Sequence, residues 1–559
     1  MDFIAKTESS FNFGKRIVKD IKNIKMKLTA LFVLTAFITF GQTLKDAIRK
    51  TDNERYSDAL NDFNSLIAKE PNVGDNYFYF GQYYMIKGEI DSAKMIWAKG
   101  FQMDNISPLS LVGNGCVLYL NSNADGAKLE FEKALTATKG KKDNLKNAEV
   151  RRGIATIYIK SEKKNLDEAI KTLEEAILKD PNNEENYLLQ GDALYEKTPN
   201  NASAAIKSYN KVLEINPKSP RGIVRVAIIY QRAQSPDEAQ KKYNDAKLVD
   251  STYAPAYREN AELNMRFNQP KKAIENWKKY LKLNNTIEAR YRYATAMFLG
   301  KQYCEAIEEI NNLNANGFTN FYTDRMLGYS YVECTNDADG FKKGLVALDR
   351  FFASAPADKI QWLDIKNKGI LYSKTGSDSL AILEFEKASK LNPDLAKELA
   401  GDIAKMYFKA KKYDKAIEYY SFKSQATSLS PAEEFELGKA YYFGPKNYIL
   451  ADTAFSHVNK LSATYAPGYW WKARTLLQQD LNNEKWLAQV SYEKVLELVK
   501  PEERGSNSNK KMVMESAKYC GDYYVNSAAK NPEKAKQYWQ IVLDLDPNDA
   551  QAKAFFKIK

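Results

Sequence analysis

Apolar residues recur every three to four positions through most of the chain, and short polar breaks interrupt them, a pattern that predicts many short amphipathic helices rather than strands. The stretch Leu166–Lys197, LDEAIKTLEEAILKDPNNEENYLLQGDALYEK, shows the unit in full. Ala169, Leu173 and Ala176 fall on one helical face, followed by a Pro181-Asn182-Asn183 break and a second helical pattern through Tyr187, Gly191, Leu194 and Tyr195. Pro181 ends the first helix because it lacks an N–H and its ring clashes with the preceding turn.

The same spacing recurs. An alanine followed four residues later by a large apolar residue appears at Ala59-Phe63, Ala93-Trp97, Ala127-Phe131, Ala169-Leu173, Ala205-Tyr209, Ala239-Tyr243, Ala273-Trp277 and Ala306-Ile310. A weaker copy at Gly344-Leu348 precedes Ala381-Phe385, Ala416-Tyr420, Ala451-Phe455, Ala488-Tyr492 and Ala535-Trp539. These anchors lie mostly 33 to 38 residues apart. Upstream of each, a Gly or Ala sits three residues before an aromatic or aliphatic one, as in Gly81-Tyr84, Ala227-Tyr230, Gly328-Tyr331, Gly369-Tyr372, Gly438-Tyr441 and Gly521-Tyr524. Small residues let two helices approach closely, and the large ones fill the space between them. Pro71, Pro181, Pro217, Pro393 and Pro547 close the second helices.

With Gly or Ala in the first helix, Ala opening the second and Pro at the turn between copies, the pattern resembles the tetratricopeptide repeat over residues 43 to 555. The resemblance implies an all-α fold, a right-handed superhelical solenoid of about 14 antiparallel helix pairs. Polar breaks at Lys139 to Asn147 and Lys500 to Lys511 divide the expected array into residues 42–138, 148–499 and 512–559, the last closing with a capping helix from Asp549.

Candidate chemistry is sparse. The one histidine, His457, reads as a helix surface or packing residue, and the chain has no phosphate-cradling, dinucleotide or nucleophile-elbow motif. No catalytic residue, cofactor or metal site is expected. Of four cysteines, Cys116 and Cys520 read as small buried side chains; Cys304 starts one second helix, and Cys334 ends the next first helix. Consecutive antiparallel helices bring those ends together, so a Cys304–Cys334 disulfide is expected in an oxidising compartment.

Arginine is unevenly placed. Seven of the 16 arginines, Arg221, Arg225, Arg232, Arg258, Arg266, Arg290 and Arg292, fall on three consecutive first helices, and the resemblance puts first helices along a concave groove. Arginine holds carboxylate or phosphate with a planar fork, and Tyr291 and Phe298 add aromatic area, so this stretch is a candidate site for an acidic or C-terminal peptide segment. The competing expectation is charge paired locally with Glu259, Glu262 and Glu288. Glu262 and Glu288 also stand where the family's two-carboxylate clamp would want Asn and Lys, so that clamp is not carried over. A second candidate surface, Phe435, Tyr442, Phe443, Tyr469, Trp470 and Trp471, reads more simply as core.

The composition, 44% hydrophobic and 28% charged, excludes general disorder. One long apolar run stands out, Leu28 to Phe40, with Lys25 and Lys27 before it and Gly41-Gln42-Thr43 after it, which fits a secretory signal peptide and is too short to span a bilayer. Residues 1–25 read as an upstream extension. Removing residues 1–41 takes away seven basic and three acidic residues and lowers the formal charge from +12 to +8, a mild excess that disfavours nucleic acid as a partner. The expected protein is an exported, periplasmic, outer-membrane-associated, non-catalytic scaffold of a cell-envelope assembly. Its partners would be proteins or peptides, acidic ones included, with a membrane protein complex among them. The alternative is a periplasmic carrier or chaperone for extended polypeptides, for which a continuous apolar groove would be the mark.

Overall fold

The computed structural model describes residues 43–200 and 202–557. The apolar run Leu28 to Phe40 lies outside the described residues. Among those described there are 29 α-helices and no strand, and no helix is long and apolar enough to cross a membrane.

The helices form 14 successive pairs and a closing helix. Leu166–Lys179 and Glu184–Lys197, the stretch that defines the repeat in the sequence, are the second helix of the fourth pair and the first of the fifth. Outside Tyr303–Ala315, each second helix packs on its own first helix and on the first helix that follows. The alanine of every anchor from Ala59 to Ala535 is 1% exposed or less, and the large residue four positions on, such as Phe63, Trp97, Tyr243, Phe385 or Tyr492, is at most 4% exposed. A glycine faces several of these rings: a Cβ on Gly369 would lie 2.6 Å from Phe385, and one on Gly521 2.7 Å from Trp539. Two of the buried anchor tyrosines keep their hydroxyls paired, Tyr243 donating to Gln231 at 2.9 Å and Tyr492 to Glu515 at 2.7 Å.

Helix ends follow local chemistry. Pro181, Pro217 and Pro547 each sit two residues past the last helical residue, while Asn165, Ser219, Thr286 and Asn447 cap helix starts by accepting a backbone N–H. Between the two helices of several pairs a residue takes the left-handed backbone conformation: Gly88 and Gly376 do so without cost, and Glu54, Gln234 and Asn268 do so with a side chain attached.

The chain divides into two compact units. The first runs to Glu305 and includes Asn311–Phe318; the second comprises Ala306–Ile310 and the residues from Thr319 onward. In the second unit the carboxylate of Asp364, fully buried, pairs with Arg325, whose Nε lies 2.8 Å away, and accepts from the Arg325 Nη2 at 2.9 Å, from the Tyr329 hydroxyl at 2.7 Å and from the Gln361 backbone N–H at 2.7 Å. At its end, Phe555 of the closing helix Ala550–Phe556 stacks on Trp539 at 5.9 Å. Cys116 and Cys520 are free and buried; Cys304 and Cys334 are each disulfide-bonded.

Candidate functional site

Within the first unit, a cavity of about 420 Å³ is lined by first helices or the turns beside them from six pairs, contributing among others Thr51, Tyr79, Arg152, Asp192, Arg225 and Arg258. A second of about 440 Å³ shares Lys160, Asp192 and Arg225 with it. A third, of about 230 Å³, shares Arg258 and adds Arg292. The three form one groove, along which Arg232, Arg225, Arg221, Arg258 and Arg292 follow one another. Arg266 is exposed and, like Tyr291, lies outside these cavities. The Tyr291 ring meets Phe318 at 5.4 Å.

Most of these arginines have a carboxylate, and the local pairings foreseen from the sequence are present: Arg258 bonds Glu259 at 2.6 Å, and Arg292 meets Glu288 at 2.9 Å and Glu262 at 3.9 Å. Arg225 forks onto Asp192 with bonds of 2.6 and 3.0 Å. Asp192 in turn accepts from Tyr209 at 2.8 Å, and Arg225 keeps its carboxyl below the usual range despite burial. Arg232 lies over the Tyr195 ring at 4.6 Å.

Two of the partners come from far along the chain. The first helix, Leu44–Asp52, and the turn after it lie against the sixth and seventh pairs. Arg221 meets Asp52 at 3.1 Å while also gripping Glu185. Arg258 forks onto Glu54 with bonds of 2.9 and 3.2 Å, and the Tyr280 hydroxyl donates to the same carboxylate at 2.8 Å. Asn53 donates to Asp250 and Thr252, both at 3.2 Å. The first unit thus curls until its beginning meets residues some 200 positions later. Burial, with Glu185 as a second negative charge, outweighs Arg221 and pushes the Asp52 carboxyl up to about 6.

The lining of the 420 Å³ cavity is balanced in charge: Arg152, Lys160, Arg221, Arg225 and Arg258 face Asp52, Glu54, Glu149, Glu185 and Asp192. Glu149 accepts from Tyr79 at 2.5 Å and pairs with Lys146 at 2.9 Å, and Arg152 bonds Asn186 at 3.0 Å. Lys160 is exposed in two of the cavities and has no carboxylate within 4.0 Å among the described residues. Arg152 and Lys160 lie upstream of the arginine run that singled out residues 221–292. The doublet Arg151-Arg152 on a first helix is the signal that would have extended it.

The second candidate surface is largely packed. Trp471 is 8% exposed and stacks on Phe455 at 6.1 Å, with Tyr442 and Phe443 edge-on to it. Lys439 lies within 5.5 Å of the rings of Phe408, Phe435 and Trp471. His457 sits half exposed beside Glu434 at 3.3 Å.

Residues 146–220 match the family model of the tetratricopeptide repeat. No curated protein matches the chain. Among solved structures, the C-terminal part of a tetratricopeptide repeat-containing protein from Cytophaga hutchinsonii is 29% identical, over 47% of this chain and 98% of that one, with a TM-score of 0.38. A thermophilic tetratricopeptide protein of Thermus thermophilus is 19% identical over 34% and 99%, TM-score 0.28. Another tetratricopeptide repeat protein, from Parabacteroides merdae, is 17% identical over 44% and 93%, TM-score 0.29. With the matched segment set among fourteen helix pairs that bury the same small and large anchors, the described chain is an all-α repeat solenoid similar to the tetratricopeptide-repeat family, whose model it matches over residues 146–220.

Proposed function

We propose that the protein is an exported, non-catalytic scaffold of a cell-envelope assembly, and that the groove of its first unit receives a partner polypeptide through that partner's carboxylates. Tetratricopeptide arrays serve generally as protein–protein interaction scaffolds and are generally non-catalytic. The observation that carries the finer reading is the seat of Asp52 and Glu54. Both carboxylates, brought from the start of the array, are held by Arg221 and Arg258 in the groove. Forked arginine bonds to a carboxylate are strong and directional, so the groove has the geometry to take an acidic segment, and Lys160 offers it a cation with no carboxylate of its own. The ten charged residues around the main cavity favour this scaffold over a carrier of unfolded chains, which would need continuous apolar surface.

Export rests on Leu28 to Phe40 and its flanks. Mass spectrometry of the mature N-terminus tests it: a start near Gly41 or Gln42 is expected, and an intact Lys27 to Phe40 segment would remove the envelope from the proposal. Affinity isolation from envelope fractions tests the groove. Reversing the charge of Arg225 and Lys160 is expected to remove the partners captured by the unaltered chain, whereas an identical set of partners would exclude the groove.

A further inference from the structure

The outer side of the sixth and seventh pairs carries a second charged cleft, of different chemistry. It lies between the second helices Pro236–Val249 and Pro270–Leu283, has a volume of about 680 Å³, and is lined by Lys247, Lys272, Lys278, Lys279 and Lys282 against a single carboxylate, Glu275.

Elsewhere in the chain, several lysines on second helices bond an acid three positions away, as Lys133 does with Glu130, Lys387 with Glu384 and Lys494 with Glu497. Glu275 stands three positions from both Lys272 and Lys278, yet none of the five lysines of the cleft has a carboxylate within 4.0 Å among the described residues. Lys247 is the most enclosed. Its ammonium donates to the side-chain oxygen of Asn276 at 2.6 Å and lies 5.2 Å from the Tyr257 ring. Burial pulls its pKa down to about 8. A half-buried ammonium with only neutral partners is an uncompensated cost that an anion in the cleft would offset.

We propose that this cleft binds a phosphate-class polyanion carrying at least two phosphate groups. Residue type and charge count are compatible with phosphate: the cleft sets five lysines, point charges with rotatable donors that serve as phosphate binders, against one carboxylate, which suits a tetrahedral, multiply charged anion. Spacing argues for more than one group. Lys272 and Lys279 are separated by seven residues of helix, about 10 Å along the axis, and Lys247 faces them from the neighbouring helix. Linear polyphosphate and the phosphates of adjacent lipid headgroups share this chemistry.

The test uses the full chain at about 150 mM salt, where surface charge alone is largely screened. Sodium tripolyphosphate is titrated calorimetrically, and flotation is measured with phosphatidylglycerol/phosphatidylcholine vesicles and with phosphatidylcholine alone. Saturable binding of tripolyphosphate, weakened at least about tenfold in Lys272→Gln/Lys279→Gln and again in Lys247→Gln, supports the cleft as a site for a free polyanion. Flotation with the anionic vesicles alone, lost in the same variants, supports it with lipid as the source. Binding should also take up protons at pH 8, because an anion raises the Lys247 pKa; calorimetry in two buffers of different ionisation enthalpy reads this. Lys272→Gln/Lys279→Gln changes only exposed side chains, so it keeps the test valid if Lys247→Gln fails to fold. No binding of either probe overturns the proposal. So does an equal loss in Lys128→Gln/Lys141→Gln, which removes the same net charge elsewhere in the unit.

Discussion

Removing the Glu54 carboxylate tests whether the first helix is fastened to the groove or merely lies near it. Glu54 accepts two bonds from Arg258 and one from Tyr280, and it does so from a left-handed backbone conformation with φ of 56°. Losing one partner of an exposed pair costs up to about 1 kcal/mol, and of a buried pair about 3–5. The Arg258 side chain is 36% exposed and that of Glu54 15%, so the expected cost of Glu54→Ala, which leaves the backbone strain in place, is about 2 kcal/mol. Glu54→Gly relieves that strain, worth about 1 kcal/mol, and should therefore lose only about half as much. Gln234 occupies the equivalent turn of the sixth pair with φ of 58° and an exposed side chain. There the glycine substitution should be neutral or stabilising by up to about 1 kcal/mol. A repeat array opens locally, so the readout is the opening free energy of Leu44–Asp52 by hydrogen exchange, in a double-mutant cycle of Glu54→Ala with Arg258→Ala. A coupling of about 1–2 kcal/mol is expected. A coupling below about 0.3 kcal/mol, or the same response to glycine at positions 54 and 234, would refute the reasoning.

Asp52 titrates near 6 in the closed unit and near 3.8 when released, so the closed form binds the proton more tightly; its contribution to closure is full below about pH 4 and is lost as pH rises through about 6. Hydrogen exchange should find the opening free energy of Leu44–Asp52 falling between pH 4 and 7, and Asp52→Asn should flatten that dependence while Arg221, Arg225, Glu184 and Glu185 remain. In the second unit, Asp364→Ala leaves Arg325 without its carboxylate and should cost about 3–5 kcal/mol in local opening of Phe321–Cys334 and Trp362–Lys374. Gly521→Ala, ordinarily favourable inside a helix, should instead destabilise the last pair by about 1–3 kcal/mol, since the new Cβ would meet the indole of Trp539 at 2.7 Å. Proteolysis of the protein without reductant should yield Cys304 and Cys334 in one cross-linked peptide, and alkylation of both as free thiols would contradict the pairing.

The repeat was open to reading because each copy states it locally. Ala239 and Tyr243 need only their own helix and its neighbour to be buried, so spacing alone located them, and Glu259, Glu262 and Glu288 were visible as partners because they lie within a few residues or one helix of Arg258 and Arg292. The meeting of Glu54 with Arg258 belongs to another scale. It depends on small rotations accumulated over six pairs, and no residue between them records the sum. For the same reason nothing in the residues around Arg221 marks Asp52 as its partner. Lys247 was missed for a different cause: among 67 lysines, one without an acid partner is recognisable only when its neighbours in space are known.

Site-specific photo-crosslinking in the envelope tests the central claim most directly. A benzoylphenylalanine at Gln82 or Thr156, both lining the main cavity, is compared with one at Lys171, exposed on a second helix. The account predicts a discrete protein adduct from Gln82 and Thr156, absent at Lys171 and lost when Arg225 and Lys160 are reversed in charge. Adducts from Lys171 alone, or groove adducts indifferent to that reversal, would contradict it.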